Sequence, residues 1–528
     1  MQLLLWIALL AAAASGRPTE TFTEDLLVQP LADGKVLQHY EFTVQRQVAR
    51  GDEEQHNYRL FPRQLGEIAR RYGVHELKLA LRQGGWRDKW GYAPTAVQGT
   101  AGAELMARIR NGGSVDAQWR GLANALSGVF CASLNFVGSE STISPRLTFG
   151  ADAANGTVLR HGYLARENVC TENLTPWIKQ LPCQAQSGIA ALLNPHRLYN
   201  MHYHSMGVAL APATDAVSGR PVLRYTQHVS VVLDPQTFGL GANWTLGQLM
   251  DRSQLAAPCP VANQSTVRVV APGPDLLRTV PRADRIEPVA GHTVHTFDLR
   301  TRRIADIEIA PAPAAEWLVS VDAAPAVTAH RYIAGHGGTG GGIEATLTNR
   351  LDEAVRVVYL DTLPWYLRVY SHTLRLNTMA DGGRAAAVKV VPARVLFTPA
   401  VDRGQPSVLE LEVELPARSR TVLRYDIEKG FLKYTEHPPD ANRGFNIGPA
   451  IVSYRIPETA LERPLVCAGQ AGCAVQAQTE LFLATLPTPD FSMPYNVVSL
   501  TCTVLALFFG RVFNLLTRDF AILKPADA

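Results

Sequence analysis

Residues 409–427 read Leu409-Glu410-Leu411-Glu412-Val413-Glu414-Leu415-Pro416-Ala417-Arg418-Ser419-Arg420-Thr421-Val422-Leu423-Arg424-Tyr425-Asp426-Ile427. Leu409, Leu411, Val413 and Leu415 alternate with three glutamates, the period-2 pattern of a strand with one dry and one wet face. Pro416 to Ser419 reads as a turn, and Thr421, Leu423, Tyr425 and Ile427 alternate in a return strand. The stretch is therefore expected to be a hairpin with Glu410, Glu412 and Glu414 in water. Outward from it, Val222 to Leu233, Trp317 to Val321, Val355 to Leu360 and Leu367 to Leu374 read as further strands. Hairpin-length connections predominate and crossover helices are scarce, so the sheets are expected to be antiparallel.

Helices are few and early. Ser114 can cap a helix whose Trp119, Leu122, Leu126 and Val129 recur at three- and four-residue spacing. Pro62 to Tyr72 and Trp244 to Leu255 are weaker candidates. Residues 271–288 and 310–326 are rich in Pro and Ala, as linkers are. The fold class expected is mainly β with some α, an N-terminal α+β region over 17–290 and a luminal antiparallel β-sandwich over 291–494. No repeat of 20–50 residues is evident, which disfavours a propeller or solenoid.

The chain has 528 residues, 47% apolar and 18% charged, with a formal charge of +3. That excludes a disordered tail, a fibrous repeat and a strongly basic nucleic-acid binder. Residues 1–16 have an apolar run, Leu3 to Leu10, ahead of small residues, which reads as a signal peptide; a buried N-terminal helix is the other reading. Residues 495–516 carry one charge, Arg511, over a length sufficient to cross about 30 Å of hydrocarbon as a helix. Arg518 and Lys524 follow this segment and Asp490 precedes it, so positive-inside bias puts 517–528 in the cytosol and the bulk in the lumen. A GPI-attachment signal fits poorly, because a polar, charged tail follows the apolar run. A single-pass type I protein is expected.

Little here reads as catalytic. His202 and His204, two apart, would share one face of a strand, but no third zinc ligand lies nearby, and ordinary polar positions are the better reading. The glycines of 335–342 lack the Lys-Ser/Thr of a phosphate loop and are followed by no Gly-x-Ser-x-Gly elbow, so a hairpin loop is expected. No HExxH occurs, and neither a metal nor another cofactor is expected. Cys131, Cys170, Cys183, Cys259, Cys467 and Cys473 are on the luminal side and Cys502 is in the span; the six can pair within the chain, and Cys170, in a polar stretch, suits an exposed thiol. Sequons stand at Asn155, Asn173, Asn243 and Asn263; Pro176 behind the second lowers its use, and the other three are expected on surface loops.

Five blocks go further: Tyr58-Arg59-Leu60-Phe61-Pro62; residues 126–136, Leu-Ser-Gly-Val-Phe-Cys-Ala-Ser-Leu-Asn-Phe; 169–177, Val-Cys-Thr-Glu-Asn-Leu-Thr-Pro-Trp; 361–368, Asp-Thr-Leu-Pro-Trp-Tyr-Leu-Arg; and 486–496, Leu-Pro-Thr-Pro-Asp-Phe-Ser-Met-Pro-Tyr-Asn. They resemble, in order and over nearly the whole mature chain, the phosphatidylinositol-glycan class T family of GPI transamidase subunits. The departures are Arg511 in the lower span, a short tail and a long glycine loop.

The resemblance implies a non-catalytic subunit in the endoplasmic reticulum membrane. Its complex removes the C-terminal signal of a proprotein and joins the new carboxyl end to the ethanolamine of a GPI glycolipid. A caspase-like subunit carries the Cys–His chemistry, and the class T subunit stabilises the assembly and helps to hold substrates. The cysteine of the 169–177 block forms a disulfide to the catalytic subunit in this family, which carries over to Cys170. That leaves five luminal cysteines, expected as Cys183–Cys259 and Cys467–Cys473 with Cys131 reduced and buried. In the block 486–496, Phe491, Met493, Tyr495 and Asn496 are the expected contacts for the GPI lipid or the proprotein's apolar signal. The rival reading is a stand-alone type I receptor or lectin-like β-sandwich; a luminal hydrolase ranks behind it.

Overall fold

The computed structural model describes residues 20–519 apart from 32, 49–57, 151–155, 216–217, 272, 274–275, 290, 312–323, 336, 381–387 and 457–473. The expected signal peptide, the strand Trp317 to Val321, Asn155, Cys467, Cys473 and the end of the tail lie outside the described residues.

The chain is mainly β with some α. Its first part is built on an eleven-stranded sheet, in spatial order 285–289, 292–298, 264–271, 20–30, 36–47, 221–233, 203–214, 74–83, 102–110, 157–164 and 142–143. All its neighbours are antiparallel except Glu20–Pro30 with Gln264–Ala271. Helices Arg63–Arg71, Val115–Phe130 and Thr171–Lys179 contribute apolar residues to the core of this region, including Leu65, Trp119, Leu122, Leu126, Phe130, Leu174 and Trp177. The Ser114 hydroxyl accepts from the Ala117 amide at 3.4 Å, capping the long helix as its sequence suggests. Phe130 takes the buried position at its end, whereas Val129 is only half-buried. The weak candidate at Trp244 to Leu255 shrinks to the single turn Leu246–Met250.

The second part is a sandwich. Strands 327–334, 340–349, 419–429, 367–380 and 388–389 form one sheet; strands 394–398, 407–415, 355–363, 451–455 and 474–478 form most of the other. The opening stretch is not a hairpin. Ser407–Leu415 pairs with Val355–Leu363 and Arg394–Thr398, while Ser419–Lys429 pairs with Gly340–Asn349 and Leu367–Ala380. The turn at Pro416–Arg418, with Arg418 at φ +46°, carries the chain from one sheet to the other. Both alternating apolar rows then face a shared core, which buries more surface than a hairpin lying in one layer. Asp361 ties the layers together: its carboxylate meets the Arg331 guanidinium and accepts from the hydroxyls of Tyr359 (2.7 Å) and Tyr425 (2.8 Å), all fully buried. The strands Val327–Ala334 and Gly340–Asn349, on either side of the glycine-rich stretch, pair antiparallel.

The two parts are stitched by named groups. Val97–Gln98, from the first part, adds to the sandwich as a strand parallel to Ala474–Gln478. Glu104, in the large sheet, receives Arg82 (2.6 Å) and His161 (3.0 Å) from its own sheet and Gln478 (2.8 Å) from the sandwich. Glu410 is not on a wet face: it is buried and accepts from the amides of Arg146, Leu147 and Thr148 and from the Thr148 hydroxyl, at 2.7 to 3.1 Å. Its row of the sheet meets the first part, so burial, not alternation, set its environment; Glu414 stays exposed. Strands His292–Asp298 and Glu308–Pro311 pair within the first part, so the sheets divide between 311 and 327 rather than at 290. The Pro/Ala-rich stretch 271–288 contains paired strands rather than a linker, because its alternate residues still supply backbone ladders.

Replacing Glu410 with Ala strands three backbone donors at this seam, and we expect a loss of about 2–4 kcal/mol in denaturant unfolding, with faster proteolysis within 143–150. His330 lies between Asp88 (3.4 Å) and Glu480 (2.6 Å) across the same seam, and hydrogen bonds to Asp88 and Glu480 push its pKa up to about 10. Its contribution is complete below its unfolded value, near 6.5, and disappears as pH rises through about 10. The stability difference between wild type and His330→Gln should therefore shrink between pH 6 and pH 10 in parallel melting curves.

Candidate functional site

Val169 to Trp177 folds as an extended residue, Cys170, followed by the helix Thr171–Lys179. The helix has Glu172 in its first turn and Leu174 and Trp177 on a buried face, a short stripe that sequence reading passed over because Pro176 interrupts it. Asn173, fully buried in its first turn, organises the corner. Its carbonyl oxygen accepts from the Cys170 amide at 2.9 Å, and its Nδ2 donates to the carbonyls of Phe130 (3.0 Å) and Cys131 (2.9 Å). Those carbonyls end the Val115–Phe130 helix and have no partner within it. One side chain thus caps the start of one helix and the end of another.

Further bonds fix the same corner. The Tyr199 hydroxyl donates to the Cys170 carbonyl at 2.6 Å, and Glu167 accepts from the Ser133 amide at 2.9 Å. The Trp177 indole donates to the Gly207 carbonyl at 3.1 Å, while the Gln227 amide donates to the Trp177 carbonyl at 2.9 Å, locking the helix to the large sheet. Cys170 is therefore held at both its amide and its carbonyl, while the residue is exposed and in no disulfide. Such a mount presents a sulfur in one place with little entropy left to lose on bonding. Phe136, 73% exposed, rises from the adjacent turn Leu134–Phe136.

Cys131 differs from expectation. It is free but exposed, because Phe130 fills the core position and the chain turns left-handed at Cys131, φ +51°. Cys183 and Cys259, 76 residues apart, form a disulfide. Asn173 uses its amide inside the fold, so its sequon is closed to a glycan, whereas Asn243 and Asn263 are exposed. His202 precedes the strand Tyr203–Thr214 and lies 3.8 Å from Asp234. His204 is fully buried against Tyr199, and burial lowers its pKa to about 4, so the two imidazoles do not share a site.

The second expected place is the foot of the apolar helix. That helix runs Ser492–Thr517, beginning three residues before the span read from sequence, and none of its residues is buried in the protein. The Asp490 carboxylate caps it by accepting from the Ser492 amide (2.9 Å) and hydroxyl (2.6 Å). Met493, Tyr495 and Asn496 are exposed, but Phe491 packs on Tyr434 and His437, with ring centroids 5.1 and 5.4 Å apart. The structure thus separates Phe491, which belongs to the sandwich, from its three neighbours.

Asn173→Ala would orphan two carbonyls and one amide at the corner. We expect a loss of about 2–4 kcal/mol in stability by denaturant unfolding, with no change in the glycan mass released by endoglycosidase.

A family model described as "Gpi16 subunit, GPI transamidase component" matches residues 4–242 and 239–527. The GPI-anchor transamidase component PIGT of Homo sapiens is 35% identical, aligned over 96% of this chain and 92% of its own length. Its counterpart in Mus musculus is 34% identical over 96% and 91%. The GPI transamidase component PIG-T homolog of Schizosaccharomyces pombe is 30% identical over 88% and 83%. A match of this extent, running through the Cys170 corner and the apolar helix alike, places the chain in the Gpi16 family of GPI transamidase components.

Proposed function

We propose that this chain is a non-catalytic scaffold subunit of the GPI transamidase complex. It stands on the luminal side of the endoplasmic reticulum membrane as a single-pass type I protein, and Cys170 tethers it to the caspase-like catalytic subunit. The observation that carries this reading is an unpaired, exposed Cys170 on a corner clamped by Asn173 and Tyr199. Oxidation of its thiol with one from the partner forms a single S–S bond, the two electrons and two protons passing to a disulfide oxidant of the compartment. Once formed, the bond makes the remaining contacts between the chains intramolecular, at effective concentrations of up to about millimolar.

The catalytic subunit's cysteine is the nucleophile in this reading, and the present chain helps hold the proprotein and the GPI glycolipid beside it. Met493, Tyr495 and Asn496, exposed at the head of the apolar helix, are where the lipid or the proprotein's apolar signal packs. Phe491 is already engaged with the sandwich and acts through the orientation of that helix. Asn243 and Asn263, and Asn155 in the undescribed stretch, are the proposed glycan acceptors.

Non-reducing electrophoresis of native membranes tests the tether. Wild type and Cys131→Ser should each give a reducible band at the summed mass of two chains that contains the caspase-like subunit, and Cys170→Ser should lose it. A wild-type chain that migrates alone without reductant would overturn the tether.

A further inference from the structure

We infer that the loop Phe431–Tyr434 is a second membrane contact, which seats the sandwich on the phospholipid headgroup layer beside the apolar helix. This goes beyond the proposed function but rests on the reading that Ser492–Thr517 crosses a bilayer. The 26 residues of that helix extend about 39 Å at 1.5 Å per residue, against about 30 Å of hydrocarbon and 40–45 Å with headgroups. Its first turn therefore lies in the headgroup layer. Leu486 is still buried in the sandwich core, so only residues 487–491 separate that core from the helix, and Pro487 and Pro489 stiffen them.

The loop is brought to the same level by contact. Tyr434 and His437 hold Phe491, the residue directly before the helix. The backbone behind the loop is pinned, since the Gly430 amide donates to the Tyr366 carbonyl at 2.7 Å and Leu432 packs against the sandwich core. On its other side Glu436 accepts from the Lys433 amide at 2.7 Å and pairs with Arg403, which itself lies over the Trp365 ring. A loop so fixed nevertheless leaves Phe431 71% exposed and Tyr434 52% exposed, with an exposed Lys433 between them in the chain. Two exposed aromatic residues and an exposed lysine in one short loop suit the boundary between acyl chains and phosphate, where aromatic side chains partition and ammonium groups meet phosphate oxygens. Continuity with the helix favours lipid over a protein partner as the occupant.

Full-length chains carrying the photo-crosslinking residue benzoylphenylalanine at position 431, at 497 inside the helix, or at 286 on the outer strand Arg285–Val289, the edge of the large sheet opposite the strands that meet the sandwich, would be irradiated in native membranes. Each replaces an exposed apolar side chain, so folding is not at issue. The expected result is a phospholipid adduct at 431 and at 497 and none at 286. Lipid adducts at 497 but only protein adducts, or none, at 431 would overturn the inference and leave the spanning helix standing. Absence of lipid adducts at 497 would overturn both.

Discussion

Buried charge at the seam between the large sheet and the sandwich is the constraint on which the arrangement depends. Glu104 and Glu410 are each shut away from water, and a carboxylate in that position costs several kcal/mol unless donors surround it. Glu104 finds Arg82, His161 and Gln478, so one of its partners must come from the other β unit. Glu410 finds three consecutive amides of residues 146–148, which only this docking supplies. The surrounding groups also drive the Glu104 pKa well below the ordinary carboxylate range, with the Arg82 charge the largest favourable influence against the cost of burial. The seam is thus specified by hydrogen-bond satisfaction as well as by the apolar contact of Ile143, Leu360 and Ile451.

From this seam the Cys170 corner and the apolar helix acquire defined positions. The strand Thr157–Leu164, which carries His161, leads directly through Glu167 to Cys170, so the thiol corner is continuous with the buried network. The sandwich, held on the other side, ends at Leu486 and passes within five residues to the apolar helix. The exposed cysteine and the apolar helix are thereby carried on two β units that the seam holds together.

Local pattern reported the strands well wherever one face was dry. Val222–Leu233 and Val355–Leu360 lie within observed strands, and the alternation of 409–415 and 421–427 is real. It could not say which strand pairs with which, because a Pro-containing turn of this length serves either a hairpin or a crossing between stacked sheets. The identity of the dry face was legible for Leu411 and Val413. The loss of water from Glu410 was not, since it depends on residues 264 positions earlier.

The candidate site divides in the same way. Sequence by itself determined the membership of the family, the apolar helix and the strand content, since each rests on residue identity and short-range spacing. Tertiary structure alone decided that Asn173 is a buried clamp between two helices, that Cys131 is exposed, and that Phe491 packs on the sandwich while Tyr495 does not. Burial and hydrogen-bond partnership are properties of groups brought together from distant positions, and no local pattern contains them.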